Sequence, residues 1–264
     1  MLSRLVLAPV LAASLVLSAC AGLADAVSAP ITTEEDSDFG TVEVYTVLDD
    51  GSLDPAATGL AAAVWDTFTR VATIDFASET MTQYRVGDSA ESDTLAYVYQ
   101  ENDPDYWVLA TNLATSEDTE QLIATLIHEY AHILTLDTTQ FEPRASSCST
   151  LDLDEGCAYE DSVLLAFTER FWASYENAPD PANADSDVAY DFYLEHEDDF
   201  VSDYAATNVV EDVAESFMTF VLEDEPSSDT VVAQKLLFFW DYPEFVAIRE
   251  RIRAEFSDEL GLVG

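Results

Sequence analysis

Apolar and polar positions alternate in the first part of the chain and switch to helical spacing in the second. Within Thr41–Leu48, Val42, Val44 and Leu48 share one parity and Glu43, Tyr45 and Val47 the other. That is the two-residue period of a strand entering a core, and Asp49-Asp50-Gly51 closes it as a turn. Leu60, Val64, Phe68 and Val71 recur every three or four residues and predict a helix within Pro55–Ile74. Tyr84-Arg85-Val86, Leu95–Tyr99 and Tyr106–Thr111 are strand-like, the last two joined by the turn Glu101-Asn102-Asp103-Pro104-Asp105. Beyond Asn112 every long element is helical. Thr115 or Ser116 can cap a helix that carries Glu117, Asp118 and Glu120 at its positive end and runs to Leu134. Further helices are predicted over about Tyr159–Tyr175, Val209–Leu222, Thr230–Trp240 and Pro243–Phe256, with an acidic loop at Pro179–Asp187. The expected class is α+β. Residues 41–135 form an N-terminal mixed lobe with a small sheet, ending in the helix that carries the chemistry, and residues 136–264 form a mostly helical lobe.

Charge narrows the partners. The 264 residues hold 9 Lys+Arg against 53 Asp+Glu, a formal net charge of −44, so no cationic face for a phosphate backbone can be built and nucleic acid is excluded as a partner. With 48% hydrophobic and 11% aromatic residues the chain can still bury a sizeable core. Such acidity suits high salt or a protein that must stay soluble outside the cell.

The N-terminus reads as an address. Arg4 precedes an apolar run from Leu5 to Leu17, too short for a permanent span, which ends in Leu17-Ser18-Ala19-Cys20. That ending resembles the lipobox of bacterial lipoproteins. The resemblance implies a signal peptide over residues 1–19, lipidation of Cys20, and a membrane-anchored location outside the cytoplasm; an ordinary secretory signal cut after about Ala24 is the alternative. Residues 20–40, with Thr32-Thr33-Glu34-Glu35-Asp36 at their centre, read as a flexible acidic tether. The remaining cysteines, Cys148 and Cys157, have eight residues between them, and an oxidising compartment favours a structural disulfide over two free thiols.

The chemistry concentrates in Leu126-Ile127-His128-Glu129-Tyr130-Ala131-His132-Ile133-Leu134. Two of the chain's three histidines form an H-E-x-x-H motif inside an amphipathic helix. Spacing of four puts His128 and His132 one turn apart on one face, where both imidazoles can reach one metal ion, and Glu129 stands beside the open coordination position. The longer H-E-x-x-H-x-x-G-x-x-H form is absent, because Thr135 and Thr138 occupy the glycine and histidine places. A third ligand is found more readily at Glu211 than at His196, which lies in Glu195-His196-Glu197. Glu211 and Glu215 are four apart on a helix that Asn208 can cap, flanked by Val213, Ala214, Phe217 and Met218. Two acids on a solvated face are the plainer reading of that pair.

This set resembles the gluzincin branch of the zincin metallopeptidases, and the spacing of Tyr204, Glu211 and Ala214-Glu215 is similar to that of lethal-factor-type catalytic domains. The resemblance covers about Leu126–Phe217. It implies a zincin-like fold for residues 41–264 and a Zn²⁺-dependent metalloendopeptidase acting on peptide or protein substrates. Its implied ligands are His128, His132 and Glu211, with Glu129 as general base, Tyr204 donating to the oxyanion and Glu215 holding a ligating histidine. A catalytically inactive surface-binding lipoprotein of the same fold is the alternative. Packing against a helix entrance is the plainer role for Tyr204. Tyr106–Thr111 takes the place of the strand that pairs with extended peptide in that family, or else is a covered core strand.

Overall fold

The computed structural model describes residues 31–261. The signal segment, the lipobox and Cys20 lie outside them. Six strands form a mixed sheet: β1 (Thr32–Asp36), β2 (Gly40–Val47), β3 (Leu53–Asp54), β4 (Met81–Gly87), β5 (Ala96–Gln100) and β6 (Trp107–Asn112). Their order is β1-β2-β4-β6-β5 with β3 on β2; β4 and β6 run parallel and the other pairs antiparallel. Helices α1 (Gly59–Ala72) and α2 (Ile74–Thr80) connect β3 to β4. The long helix α3 (Thr119–Leu136) follows the sheet and packs on α1 and β5. A second, three-stranded sheet of β7 (Phe141–Glu142), β8 (Asp152–Leu153) and β9 (Gly156–Ala158) comes next. Then come α4 (Val163–Phe167), α5 (Ser186–His196), α6 (Val209–Leu222), α7 (Val231–Phe238) and α8 (Pro243–Glu255). The class is therefore mixed α/β.

Several expectations needed correction. Thr32–Asp36, read as part of the tether, pairs in register with Gly40–Val44 as β1. Its composition is that of an exposed edge, with four of five residues exposed, so polarity concealed the strand. In β2 the valine parity does not face the main core. Val42 and Val44 join Phe39, Ala110 and Tyr97 in a small cluster on one side of the sheet, while Tyr45 and Val47 meet the large core on the other. Strand β6 is the covered alternative: all six residues are buried between β4 and β5, and β5 is the edge. Helix α3 is capped by Asp118, whose carboxylate accepts from the Gln121 N–H at 3.1 Å. The Thr115 and Ser116 hydroxyls donate instead to the Asn112 carbonyl in a preceding 3-10 turn. Helix α5 begins inside the expected acidic loop Pro179–Asp187 and continues to His196. Only Ala189 and Phe192 are buried along it, too thin a stripe to reveal its period. The lobe after residue 135 also contains the small second sheet, closed by the expected Cys148–Cys157 disulfide.

One core runs through the molecule and joins the sheet face, α1, α3 and the later helices. Helix α3 is its axis, with Ile123, Leu126, Ile127, Ala131 and Ile133 fully buried. Helix α6 packs along it and sends Phe217 and Phe220 into a phenylalanine cluster with Phe239 and Phe245. Two helices with extensive apolar surface hold each other rigidly, and the polar residues left in their seam are consequently fixed.

Candidate metal centre

That seam contains His128, Glu129 and His132 from α3, and Glu211 and Glu215 from α6. Asn208 caps α6 by accepting from the Val210 and Glu211 N–H groups at 2.8 and 3.0 Å, so the helix begins where Glu211 lies in its first turn. Four residues later Glu215 lies on the same face. Three atoms converge: His128 Nε2 is 2.9 Å from His132 Nε2 and 3.1 Å from Glu211 Oε2, and His132 Nε2 is 3.4 Å from the same oxygen. Behind them His128 Nδ1 lies 2.8 Å from Glu215 Oε1, and the Ser202 hydroxyl donates to Glu215 Oε2 at 2.6 Å. His128 is 6% exposed and Glu129 5%.

The arrangement is electrostatically incomplete by itself. A neutral His128 that gives its Nδ1 proton to Glu215 turns a bare lone pair at Nε2 toward a second imidazole and a carboxylate. Such a group calls for a proton or a cation at its centre. Burial works against charging His128, yet the bonds to Glu211 and Glu215 and the Glu129 charge push its pKa up to about 10. Glu211 and Glu215 are held below the usual carboxylate range: burial opposes this, but their histidine contacts prevail, with Ser202 helping at Glu215. Burial raises Glu129 to about 7, although both histidines pull it down and the Val98 N–H of β5 supports its charged form.

The donor set fits zinc. Zinc bound tetrahedrally at about 2.0–2.1 Å from each ligand sets neighbouring donor atoms ~3.3 Å apart. The triangle of 2.9, 3.1 and 3.4 Å needs to open by only a few tenths of an ångström. Two imidazoles and one carboxylate are also the donor types of a three-ligand catalytic zinc site with one position left open.

Tyr204 stands in a single 3-10 turn ahead of α6, its ring centre 5.8 Å from that of His128. The residue is 52% exposed, but partial burial of its phenol and the charges of Glu211 and Glu129 raise its pKa. It separates two cavities. One, of about 540 Å³, is lined by Leu95, Ala96, Ala124, Thr125 and Met218 and reaches His128 and Glu129. The other, of about 440 Å³, lies against Ala189, Tyr190 and Thr207. His196 is not part of the centre; it packs at a tilt against Tyr175 and Phe192, 4.6 and 4.7 Å from their ring centres.

Comparison with protein-family models, curated proteins and solved structures returns no significant match.

Ser202 and the Val98 N–H carry no mark in the sequence. Ser202 sits in an irregular segment with no period to mark it, and a backbone donor leaves no trace in a sequence. Lys235, described below, did leave a signal, as the single lysine of the chain.

Proposed function

We propose that the chain is a zinc-dependent peptidase of the gluzincin kind, acting outside the cytoplasm from an N-terminal lipid anchor at Cys20. The observation that carries this reading is the convergence of His128 Nε2, His132 Nε2 and Glu211 Oε2 within 3.4 Å of one another, with Glu129 beside them. His128, His132 and Glu211 would hold Zn²⁺, which when bound polarises a carbonyl and lowers the pKa of water.

The remaining chemistry belongs to the chain. Glu129, held to about 7 by its buried position, is poised to accept a proton near neutral pH and return it to a leaving amine. Tyr204 keeps its proton, because burial of its phenol and then the neighbouring carboxylates disfavour the phenolate, and can therefore donate a hydrogen bond to a developing oxyanion. Glu215 fixes the ring and tautomer of His128 through Nδ1. The 540 Å³ cavity, where Leu95, Ala96, Ala124 and Met218 stand beside the polar Asp93, Gln121 and Glu215, would receive a substrate side chain next to the cleaved bond.

The test is zinc content and peptidase activity of the mature chain. One zinc per chain, lost or weakened in Glu211→Ala, together with peptide cleavage that Glu129→Gln abolishes, supports the reading. Zinc without cleavage in the wild type would leave an inactive binding protein. A well-folded wild type that takes up no zinc would overturn the proposal.

A further inference from the structure

Lys235 is the one lysine in a chain with 53 acidic residues, and it is fully buried on α7. An ammonium could find a carboxylate almost anywhere on this surface; here it lies where desolvation opposes its charge most. Its Nζ is 2.7 Å from Asp212 Oδ2, also fully buried, and 3.8 Å from the centre of the Phe200 ring. The contact with Asp212 is an ion pair by distance without hydrogen-bond alignment at Nζ. The hydrogen bonds to Asp212 come from Trp172 Nε1 at 2.7 Å and the Ser216 hydroxyl at 3.2 Å. Burial lowers the Lys235 pKa and raises that of Asp212, each partner's opposite charge offsetting part of the effect.

These contacts reach α6 and the segment before it that bears Ser202 and Tyr204, two of the three pieces of chain at the centre, the third being α3. Asp212 directly follows Glu211 and precedes Glu215 by three residues, so a pinned Asp212 fixes the roll of α6. A roll of about 20° at a side-chain radius of ~6 Å moves a carboxylate by roughly 2 Å, enough to take Glu211 out of reach of the histidines. Phe200 lies two residues before Ser202, which holds Glu215, and four before Tyr204. Apolar packing would bury the same surface with less angular definition.

We infer that Lys235 is a positioning residue of the candidate metal centre. Through Asp212 it sets the rotation of α6 at which Glu211 and Glu215 meet the histidines, and through Phe200 it seats the segment bearing Ser202 and Tyr204. The inference rests on the metal reading above.

Lys235→Met alone leaves Asp212 buried and unpaired and lowers the unfolding midpoint whatever the role of the pair. The informative variant is the double Lys235→Met/Asp212→Asn, which removes both charges while an amide oxygen still accepts from Trp172. The readouts are thermal unfolding, the zinc dissociation constant by chelator competition, and the visible spectrum with Co²⁺ in place of zinc. The expected double variant unfolds near the wild-type midpoint, binds zinc about 10–100-fold more weakly, and has Co²⁺ bands displaced toward those of Glu211→Ala. A double variant with wild-type zinc affinity and an unchanged Co²⁺ spectrum overturns the inference and leaves the metal reading intact. A wild type that takes up neither zinc nor Co²⁺ overturns both.

Discussion

Removing Glu215 distinguishes its proposed role, holding His128, from the metal-binding role proposed for Glu211. The Glu215 carboxylate meets His128 Nδ1 at 2.8 Å and is itself fixed by Ser202 at 2.6 Å. A charge-assisted hydrogen bond of this kind contributes about 1.5–3 kcal/mol. At 1.4 kcal/mol per factor of ten, Glu215→Ala should therefore weaken zinc binding roughly 10–100-fold without abolishing it. Glu215→Gln keeps an acceptor for the Nδ1 proton but loses the charge, so its loss should be smaller, about 3–10-fold. Glu211→Ala removes a proposed ligand and should exceed both. The assay is competition with a chromophoric chelator at neutral pH, with urea unfolding of each metal-free variant as the check on folding. Wild-type zinc affinity in a folded Glu215→Ala would refute the reasoning. A larger loss in Gln than in Ala would show that space, not the hydrogen bond, governs the position.

Three further outcomes follow from the same geometry. The metal-free protein should be most stable near pH 4.5 and lose stability on either side of it. Glu129, raised to about 7, and His128, raised to about 10, lose their contributions as pH climbs through those values, whereas the lowered Glu211 and Glu215 lose theirs as pH falls below 4.5. Denaturant unfolding across pH checks this, and Glu129→Gln should remove the part of the decline between 4.5 and 7; an identical profile in that variant would contradict it. Reduction of Cys148–Cys157, which closes a separation of 9 residues, should lower stability by about 2–3 kcal/mol, measured by unfolding with and without reductant, while zinc stoichiometry stays the same. Ala124→Phe should project a ring into the 540 Å³ cavity and narrow it, raising KM for substrates with bulky side chains more than for small ones, with zinc content unchanged.

What was legible in the sequence depended on whether the physics was local. His128 and His132 share a face because helical spacing is fixed, and Glu211 and Glu215 were found the same way, with Asn208 capping them as expected. Strands β2, β4, β5 and β6 and helices α1, α3, α6 and α8 declared themselves by period. Sheet order did not, since nothing local in Tyr106–Thr111 says that β5 covers its outer side. The face of β2 was equally hidden: Val42 and Val44 are as apolar as Tyr45 and Val47, and only the partners across the sheet decide which side is the main core. Thr32–Asp36 reads as tether because an exposed edge strand has a tether's composition. The Lys235–Asp212 pair joins residues on different helices, a contact that no periodicity encodes.

The burial of Lys235 also determines how the molecule meets reagents. The chain's single ε-amino group lies with no exposed surface, so acylating labels and aldehyde cross-linkers that attack side-chain amines have no target on the folded domain. They gain one when α7 separates from α6. Incorporation of such a label at Lys235 thus counts openings of the helical seam behind the candidate metal centre, a built-in reporter that requires no substitution.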